Sequence, residues 1–175
     1  MSCDANDFRL GMRRLAAGVT VITSCLDGER TGMTATAVCS LSAAPPRLLA
    51  CVNLRGAMYR FASASRRMAV NVLALHQEHV ARDFSGPNKY PGQLFAGGNW
   101  RDAGGLPLLD DAAAVFECAV EQMLVMDTHA VLIGSVERVH VSAAAAPLLY
   151  ADGAYAALDP SSFIPTNDRV IRRAV

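Results

Sequence analysis

The sequence lacks the short motifs that mark the common nucleotide-binding and hydrolytic sites. It contains no G-x-G-x-x-G, no phosphate-binding G-x-x-x-x-G-K-[ST] loop, no G-x-S-x-G and no H-E-x-x-H. Its five cysteines include no C-x-x-C pair. These absences argue against a Rossmann dinucleotide site, a P-loop, an α/β-hydrolase nucleophile and a zinc knuckle.

Charge is scarce and balanced. Sixteen basic residues offset sixteen acidic ones, and charged residues make up 18% of the chain against 52% hydrophobic. A net charge of zero provides no field that would attract nucleic acid or an anionic membrane. The longest uncharged run, between Arg30 and Arg47, is rich in Ser and Thr and ends in two prolines, unlike a membrane span. We therefore expect a cytoplasmic protein that binds neither nucleic acid nor membrane.

The cysteines and histidines do not form a predicted metal or disulfide framework. The cysteines are odd in number and widely spaced, so we expect reduced thiols that pack as small apolar side chains. His76 and His79 lie three residues apart on a predicted helix, but only Glu78 and Asp83 are close in sequence. No metal site is predicted there.

Turn residues and β-branched side chains predict many short strands and few helices. The pattern predicts helices over residues 8–17, 56–65 and 76–84, and strands over 19–24, 31–42, 47–53, 68–75, 115–124 and 130–141. Asp27-Gly28 and Asp152-Gly153 are typical of hairpin turns. This arrangement favours a barrel or sandwich over alternating βαβ units. We expect one domain over residues 1–158, followed by a C-terminal surface extension over 159–175.

The segment 32–46, GMTATAVCSLSAAPP, is extended in pattern yet has small side chains where strands usually carry bulky ones. Its small and hydroxyl residues are Thr34, Ala35, Thr36, Ala37, Ser40 and Ser42. Small side chains let a flat ligand approach the backbone, whose N–H and C=O groups can bond its polar edge. Hydroxyls at Ser40 and Ser42 can bond a phosphate or sugar-alcohol chain, and Arg55 can add charged contacts. A close-packed barrel wall with satisfied hydroxyls is an equally good interpretation of these residues.

His129 follows Asp127-Thr128 at the predicted turn between two long strands. A histidine at a turn is most simply a surface residue. It gains a role if that turn lies over a ligand pocket, where it can bond a carboxamide or move a proton.

Taken together, these segments resemble the short-chain flavin reductase family, the reductase components of two-component flavin-dependent monooxygenases. The resemblance extends from Phe8 to about Leu158 and depends on FRLGMRRLAAGVTVITS, GMTATAVCSLSAAPPRLLACVN, FASASRRMAVNVLA, THAVLIGSVERV and PLLYADGAYAAL. The Thr-Ala block, followed by Ser-x-Ser and a proline pair, is its most specific part. The resemblance implies a mainly β fold: a split β-barrel of the Greek-key, FMN-binding type with a few short helices. It also implies a homodimer with flavin near the subunit interface.

The resemblance implies roles for individual residues. Thr34, Ala35 and Thr36 match the stretch that lines the isoalloxazine ring through main-chain contacts. The other matches are Ser40 near the ribityl and phosphate, Asn53, Leu54, Arg55 and Ala57 in the loop closing over the phosphate end, Phe84 and Ser85 flanking the flavin, Tyr150 and Gly153 in a turn sheltering the nucleotide, and His129 beside the nicotinamide. Where many relatives have a Ser/Thr-rich cluster, this chain has Leu54-Arg55-Gly56, so the phosphate contact falls to Arg55 and the choice between FMN and FAD stays open.

The implied activity is hydride transfer from NADH or NADPH to FMN or FAD, with His129 as the candidate catalytic residue. Reduced flavin then diffuses to a partner monooxygenase. One alternative is a non-catalytic flavin-binding redox protein on the same barrel, and another is a dimer that binds no ligand. A third is a pyridoxine-phosphate-oxidase-like enzyme, which needs a basic cluster for a second phosphate, whereas only Arg13-Arg14 and Arg66-Arg67 are paired here.

Overall fold

The computed structural model describes residues 3–86 and 94–162. Within them the helices are α1 (Ala5–Met12), α2 (Ala57–Ser65) and α3 (Glu78–Asp83), with 3-10 turns at Leu75–Gln77 and Pro160–Ser162. The strands are β1 (Ala17–Gly18), β2 (Thr20–Leu26), β3 (Glu29–Ala35), β4 (Val38–Ala43), β5 (Pro46–Asn53), β6 (Arg67–Val72), β7 (Trp100–Ala103), β8 (Leu106–Leu109), β9 (Ala114–Met126), β10 (His129–Val141), β11 (Leu149–Ala151) and β12 (Ala154–Ala156).

A seven-stranded antiparallel sheet is the main element of the fold. Its order is β3-β2-β6-β9-β10-β5-β4, so β3 and β4 are its two edge strands. Two smaller sheets, β1-β11-β12 and β7-β8, pack beside it. The prediction of a mainly β fold with a few short helices is confirmed.

The central strands are buried on both faces, because successive side chains of a strand point to opposite sides of the sheet. Val21 packs with Leu108 and the apolar residues of α3, while its neighbour Ile22 packs on the other face with Met58 of α2. The buried Asn71 connects three strands: its amide donates to the carbonyl of Val21 at 2.9 Å, and its oxygen accepts from the N–H of Leu109 at 2.8 Å. Asn71 therefore ties β6 to β2 and to β8 within the core.

Several boundaries differ from those predicted. The first helix runs over Ala5–Met12 rather than residues 8–17, because the Asp4 carboxylate caps the N–H groups of Asn6 and Asp7 and starts the helix early. The extended segment 31–42 is interrupted between Ala35 and Val38. The long strands β9 and β10 each have 13 residues, more than predicted.

Both predicted Asp-Gly turns are confirmed. In each turn the aspartate and the glycine have positive φ, 51° and 81° at Asp27-Gly28 and 49° and 84° at Asp152-Gly153. Two consecutive residues with positive φ are what a type I′ hairpin turn requires. The predicted C-terminal extension lies outside the described residues from residue 163 onward. Over residues 3–86 and 94–162, the helices are too short or too polar to cross a membrane.

Candidate functional site

A cavity of about 840 Å³ opens beside the edge strand β3. This volume lies within the range typical of small-molecule sites, about 300–1,000 Å³. The predicted site residues that line it are Thr34, Ala35, Thr36, Asn53, Phe84, Ser85, Tyr150 and Gly153. The structure thus brings together residues from four separate parts of the chain.

Thr34 joins β3 to the segment after α3. Its N–H donates to the carbonyl of Phe84 at 3.1 Å, and its hydroxyl donates to the carbonyl of Ala81 at 2.7 Å. The hydroxyl is therefore satisfied within the protein, as the barrel-wall interpretation expected, while the residue still lines the cavity. These two bonds place Phe84 and Ser85 against β3.

Gly32 allows the Phe84 ring to pack close to the backbone of β3. A Cβ at Gly32 would lie 2.7 Å from Cε1 and 2.9 Å from Cδ1 of the Phe84 ring, so no side chain fits there without displacement. The Phe84 ring is held from its other side by Phe95 and Trp100, with ring centroids 5.1 and 5.3 Å away. The absence of a side chain at Gly32 therefore leaves room for the Phe84 ring, which lines the cavity.

The backbone at the end of β3 faces the cavity. The ladder with β2 ends at the pair Thr20–Ala35, and Thr36 follows as an exposed residue of the cavity lining. Thr36 lies at a bend after the end of β3, and the N–H of Thr34 is bonded to the carbonyl of Phe84. The last residues of β3 and Thr36 are therefore open to a ligand that lies in the cavity.

The charged groups of the cavity lining are paired. The Arg82 guanidinium donates to the Glu78 carboxylate at 2.6 Å, and its carbon lies 5.2 Å from the centre of the Tyr155 ring. The hydrogen bond and the attraction to Glu78 raise the pKa of Arg82, and burial raises the pKa of the Tyr155 phenol. Tyr155 therefore stays protonated at neutral pH and can donate a hydrogen bond.

The hairpin β11–β12 forms one rim of the cavity. Tyr150 and Tyr155 lie across from each other in its ladder, with ring centroids 5.5 Å apart. Gly153, at the turn, lies so close to Arg13 that a Cβ would be 2.6 Å from the Nη2 atom of Arg13. The rim thus presents two tyrosines and a turn to the cavity.

The loop predicted to contact the flavin phosphate lies beside a second, smaller cavity. Asn53, Leu54 and Arg55 line a second cavity of about 250 Å³, together with Asp127 and Thr128. Asn53 lines both cavities, which makes them neighbours. Its side-chain oxygen accepts from the N–H of Arg55 at 2.9 Å and so fixes the loop.

Five predicted site residues lie outside the main cavity, and two of them, Leu54 and Arg55, line the second one. Ala57, at the start of α2, is exposed and lines neither cavity. Ser40 lies on β4 in a separate groove of about 390 Å³. His129 begins β10 directly opposite Asn53, with its Nδ1 2.8 Å from the hydroxyl of Thr128. It therefore lies next to the cavity lining but is not part of it in a single chain.

The sequence interpretation missed Glu78, Arg82 and Tyr155. The spacing of Glu78 and Arg82, four residues apart on a helix, was a usable signal for an ion pair. Nothing local indicated that this pair would face the hairpin carrying Tyr155. Within residues 3–86 and 94–162, no group of three or more His, Cys, Asp or Glu side chains is arranged to hold a metal ion.

Comparisons with known proteins give a consistent family. The flavin reductase like domain matches residues 12–159. The chain is 39% identical over 150 residues to "FMN reductase (NADH) RutF" of Variovorax paradoxus, covering 85% of this chain and 83% of that protein. It is 40% identical over 136 residues to "4-hydroxyphenylacetate 3-monooxygenase reductase component" of Pseudomonas aeruginosa, covering 77% of this chain and 80% of that protein.

A solved structure agrees with these matches. The Streptomyces globisporus "NADH:FAD oxidoreductase SgcE6 in complex with NAD and FAD fragments" superimposes with a TM-score of 0.84 at 28% identity, covering 93% of this chain and 99% of that one. The domain match spans most of the 175 residues, and sequence and fold agree. The chain therefore belongs to the flavin reductase like domain family.

Proposed function

We propose that this protein is a homodimeric flavin reductase, which binds FMN or FAD in the cavity beside β3 and reduces it with NADH or NADPH. Reduced flavin then leaves and serves a partner monooxygenase. The observation that carries the proposal is the cavity itself. The small residues at the end of β3 line it together with Phe84 and two tyrosines, and eight of the residues expected to contact flavin or nucleotide are in its lining.

The residues present fit a flavin. A volume of about 840 Å³ accommodates a three-ring system with a ribityl chain, and the exposed residue Thr36 lies in the lining beside the end of β3. The neighbouring cavity supplies Arg55 for a phosphate, and Asn53 joins the two spaces. We therefore assign the ring to the β3 end and the phosphate to the Arg55 end.

When bound, the flavin ring supplies the hydride acceptor and the nicotinamide supplies the hydride. The chain itself contributes orientation and shielding. Thr36 and Phe84 would line the space that holds the ring. Tyr150 and Tyr155 exclude water from the outer rim. Holding two flat reactants in contact lowers the entropic part of the barrier, and fixed backbone dipoles stabilise charge that develops on the ring.

His129 has a position consistent with contacting the nicotinamide. Residues directly opposite in an antiparallel pair have their side chains on the same face of the sheet, so the imidazole of His129 lies beside Asn53. From there it can donate a hydrogen bond to a carboxamide at the rim. His129→Ala should raise the KM for the nicotinamide cofactor while leaving flavin affinity unchanged, and an unchanged KM would remove His129 from the site.

The homodimer and the closed split barrel belong to this proposal. The groove along β4 is lined mainly by apolar side chains, including Val38, Phe116, Val136 and Val139, and among the described strands β4 pairs only with β5. An unpaired edge with an apolar groove is a surface that a second chain covers. We propose that a second copy packs there and brings Ser40 toward the phosphate end of a flavin. Sedimentation of Val139→Asp as a monomer, with the parent as a dimer, would support this arrangement.

The partner oxygenase is proposed from the relatives. One of them is named as the reductase component of a monooxygenase, and this chain shares 40% of its residues over the aligned region. Because one arginine, Arg55, faces the proposed phosphate end, we expect flavin to be held weakly enough to be released after reduction.

The test measures oxidation of NADH and of NADPH in turn, each with FMN, FAD or riboflavin at equal concentration. The proposal predicts turnover with at least one flavin, and its loss in Thr36→Trp, which fills the cavity. Ala64→Trp, an exposed position on α2, is the matched control and should retain turnover. Tight flavin binding without NADH or NADPH oxidation would instead support the non-catalytic redox protein.

A further inference from the structure

We propose that Arg13 is a positioning residue for the nicotinamide: it fixes the tip of the β11–β12 hairpin at the cavity rim, so that the affinity for the nicotinamide cofactor depends on it. This inference rests on the proposed function. It concerns a residue that does not itself line the cavity and that lies directly after α1.

Arg13 makes a set of contacts to one residue of the hairpin turn. Its Nη2 donates to the backbone carbonyl of Asp152 at 2.9 Å, and its Nε donates to the Asp152 carboxylate at 3.2 Å. In return, the N–H of Asp152 donates to the backbone carbonyl of Arg13 at 2.9 Å. Both backbone polar groups of Asp152 are thereby bonded to the same residue, which fixes the orientation of the turn.

The turn packs tightly on the guanidinium. The position of a Cβ at Gly153 lies 2.6 Å from Nη2 and 3.2 Å from the central carbon of Arg13, so the arginine lies against the glycine backbone. Gly153 also has a φ of +84°, which favours glycine for a second reason. The same glycine lines the cavity, so Arg13 packs against a residue of the cavity rim.

Within residues 3–86 and 94–162, the strands that carry this turn are short. Strands β11 and β12 have three residues each, and the neighbouring strand β1 has two. Short isolated ribbons are marginal in water and need further packing. On the cavity side, Tyr155 contacts Arg82. Arg82 thus contacts the strand beyond the turn, whereas Arg13 bonds the turn itself, so removing the Arg13 side chain should loosen the tip.

Arg14 provides a matched control. It is the next residue, carries the same charge and also lies near Asp152. Its Nη1 is 3.9 Å from the carboxylate, and its side chain is 81% exposed, compared with 55% for Arg13. A change at Arg14 alters net charge equally but removes only a long, exposed ion pair, which contributes little.

The experiment compares Arg13→Gln with Arg14→Gln in the full chain. For Arg13→Gln we expect the KM for NADH to rise about fivefold or more, with kcat within about twofold, because misplaced binding groups weaken the cofactor complex. The KM of Arg13→Lys should lie between those of the parent and of Arg13→Gln, because lysine keeps the positive charge but lacks the planar fork of donors of arginine. Arg14→Gln should keep both parental constants.

Hydrogen exchange of the peptide covering residues 149–156, measured by mass spectrometry without ligand, gives a readout independent of activity. Exchange should be faster in Arg13→Gln and parental in Arg14→Gln. Equal exchange and equal KM in the two variants would overturn the role of Arg13. Failure of the parent protein to oxidise NADH or NADPH with any flavin would instead overturn the proposed function, while the exchange result still reports on the hairpin contact.

Discussion

Replacing Gly32 with alanine tests how the base of the cavity is built. The new Cβ would lie 2.7 and 2.9 Å from two atoms of the Phe84 ring and 3.1 Å from the carbonyl oxygen of Ile22. The ring cannot retreat easily, because it is 4% exposed and packs on Phe95 and Trp100. Either the ring or the edge of β3 must therefore shift.

The expected change in the free energy of unfolding of Gly32→Ala is the sum of two opposing effects. Overpacking a filled site costs typically about 1–3 kcal/mol. Alanine in place of glycine recovers about 0.5–1 kcal/mol, because it restricts the unfolded chain. We expect the free energy of unfolding of Gly32→Ala to fall by about 1–2 kcal/mol net. The displaced Phe84 should also weaken flavin binding by about tenfold, equivalent to about 1.4 kcal/mol.

Urea unfolding and flavin titration measure the two effects. The urea midpoint should fall without a change in slope, since the fold is retained. Gly18→Ala is the control, because a Cβ at Gly18 meets nothing within 4 Å. It should be as stable as the parent or slightly more stable. If Gly32→Ala matched Gly18→Ala in both stability and flavin affinity, the close packing of Phe84 on β3 would have no energetic role.

Three further results are expected. Thr34→Val keeps the shape of the side chain but loses the bond to the Ala81 carbonyl, so urea unfolding should show a loss of about 1 kcal/mol, and parental stability would contradict this. Burial raises the pKa of the Cys118 thiol to about 12, so alkylation in native protein at about pH 8 should spare it and label exposed cysteines; labelling of Cys118 before unfolding would refute this. A hydrogen bond from Arg47 lowers the pKa of Glu121, so its stabilising effect is present above the unfolded carboxyl pKa and is lost as pH falls through the folded one. Glu121→Gln should therefore lower Tm at about pH 7 and lose this difference at about pH 3, and a constant difference would contradict the assignment.

The fold was largely predictable because its signals are local. Asp27-Gly28 and Asp152-Gly153 specify hairpin turns through backbone conformation alone. Strand ends were harder to place, since the ends of β9 and β10 extend beyond the core. Leu124, Val125 and Met126 at the end of β9 are exposed, so alternation of burial does not mark the boundary there.

The part of the site formed by one continuous segment could be predicted, whereas contacts between distant segments could not. The small residues of Thr34–Thr36 predicted a backbone that a ligand can approach, and the cavity lies beside them. In contrast, the contact between Arg13 and Asp152 spans 139 positions, and no local pattern pairs a cation with a particular turn. The positions of Ser40 and His129 relative to a ligand depend on where a second copy packs, which is a property of the assembly.

Anaerobic stopped-flow mixing of NADH with the protein and FMN tests the central claim most directly. The visible absorbance of the oxidised flavin should disappear far faster than in a mixture of NADH and FMN without protein. Thr36→Trp should remove this acceleration, and Ala64→Trp should keep it. Bleaching at the protein-free rate with the parent, at concentrations where titration shows the flavin bound, would contradict the assignment of the β3 cavity as a site of hydride transfer.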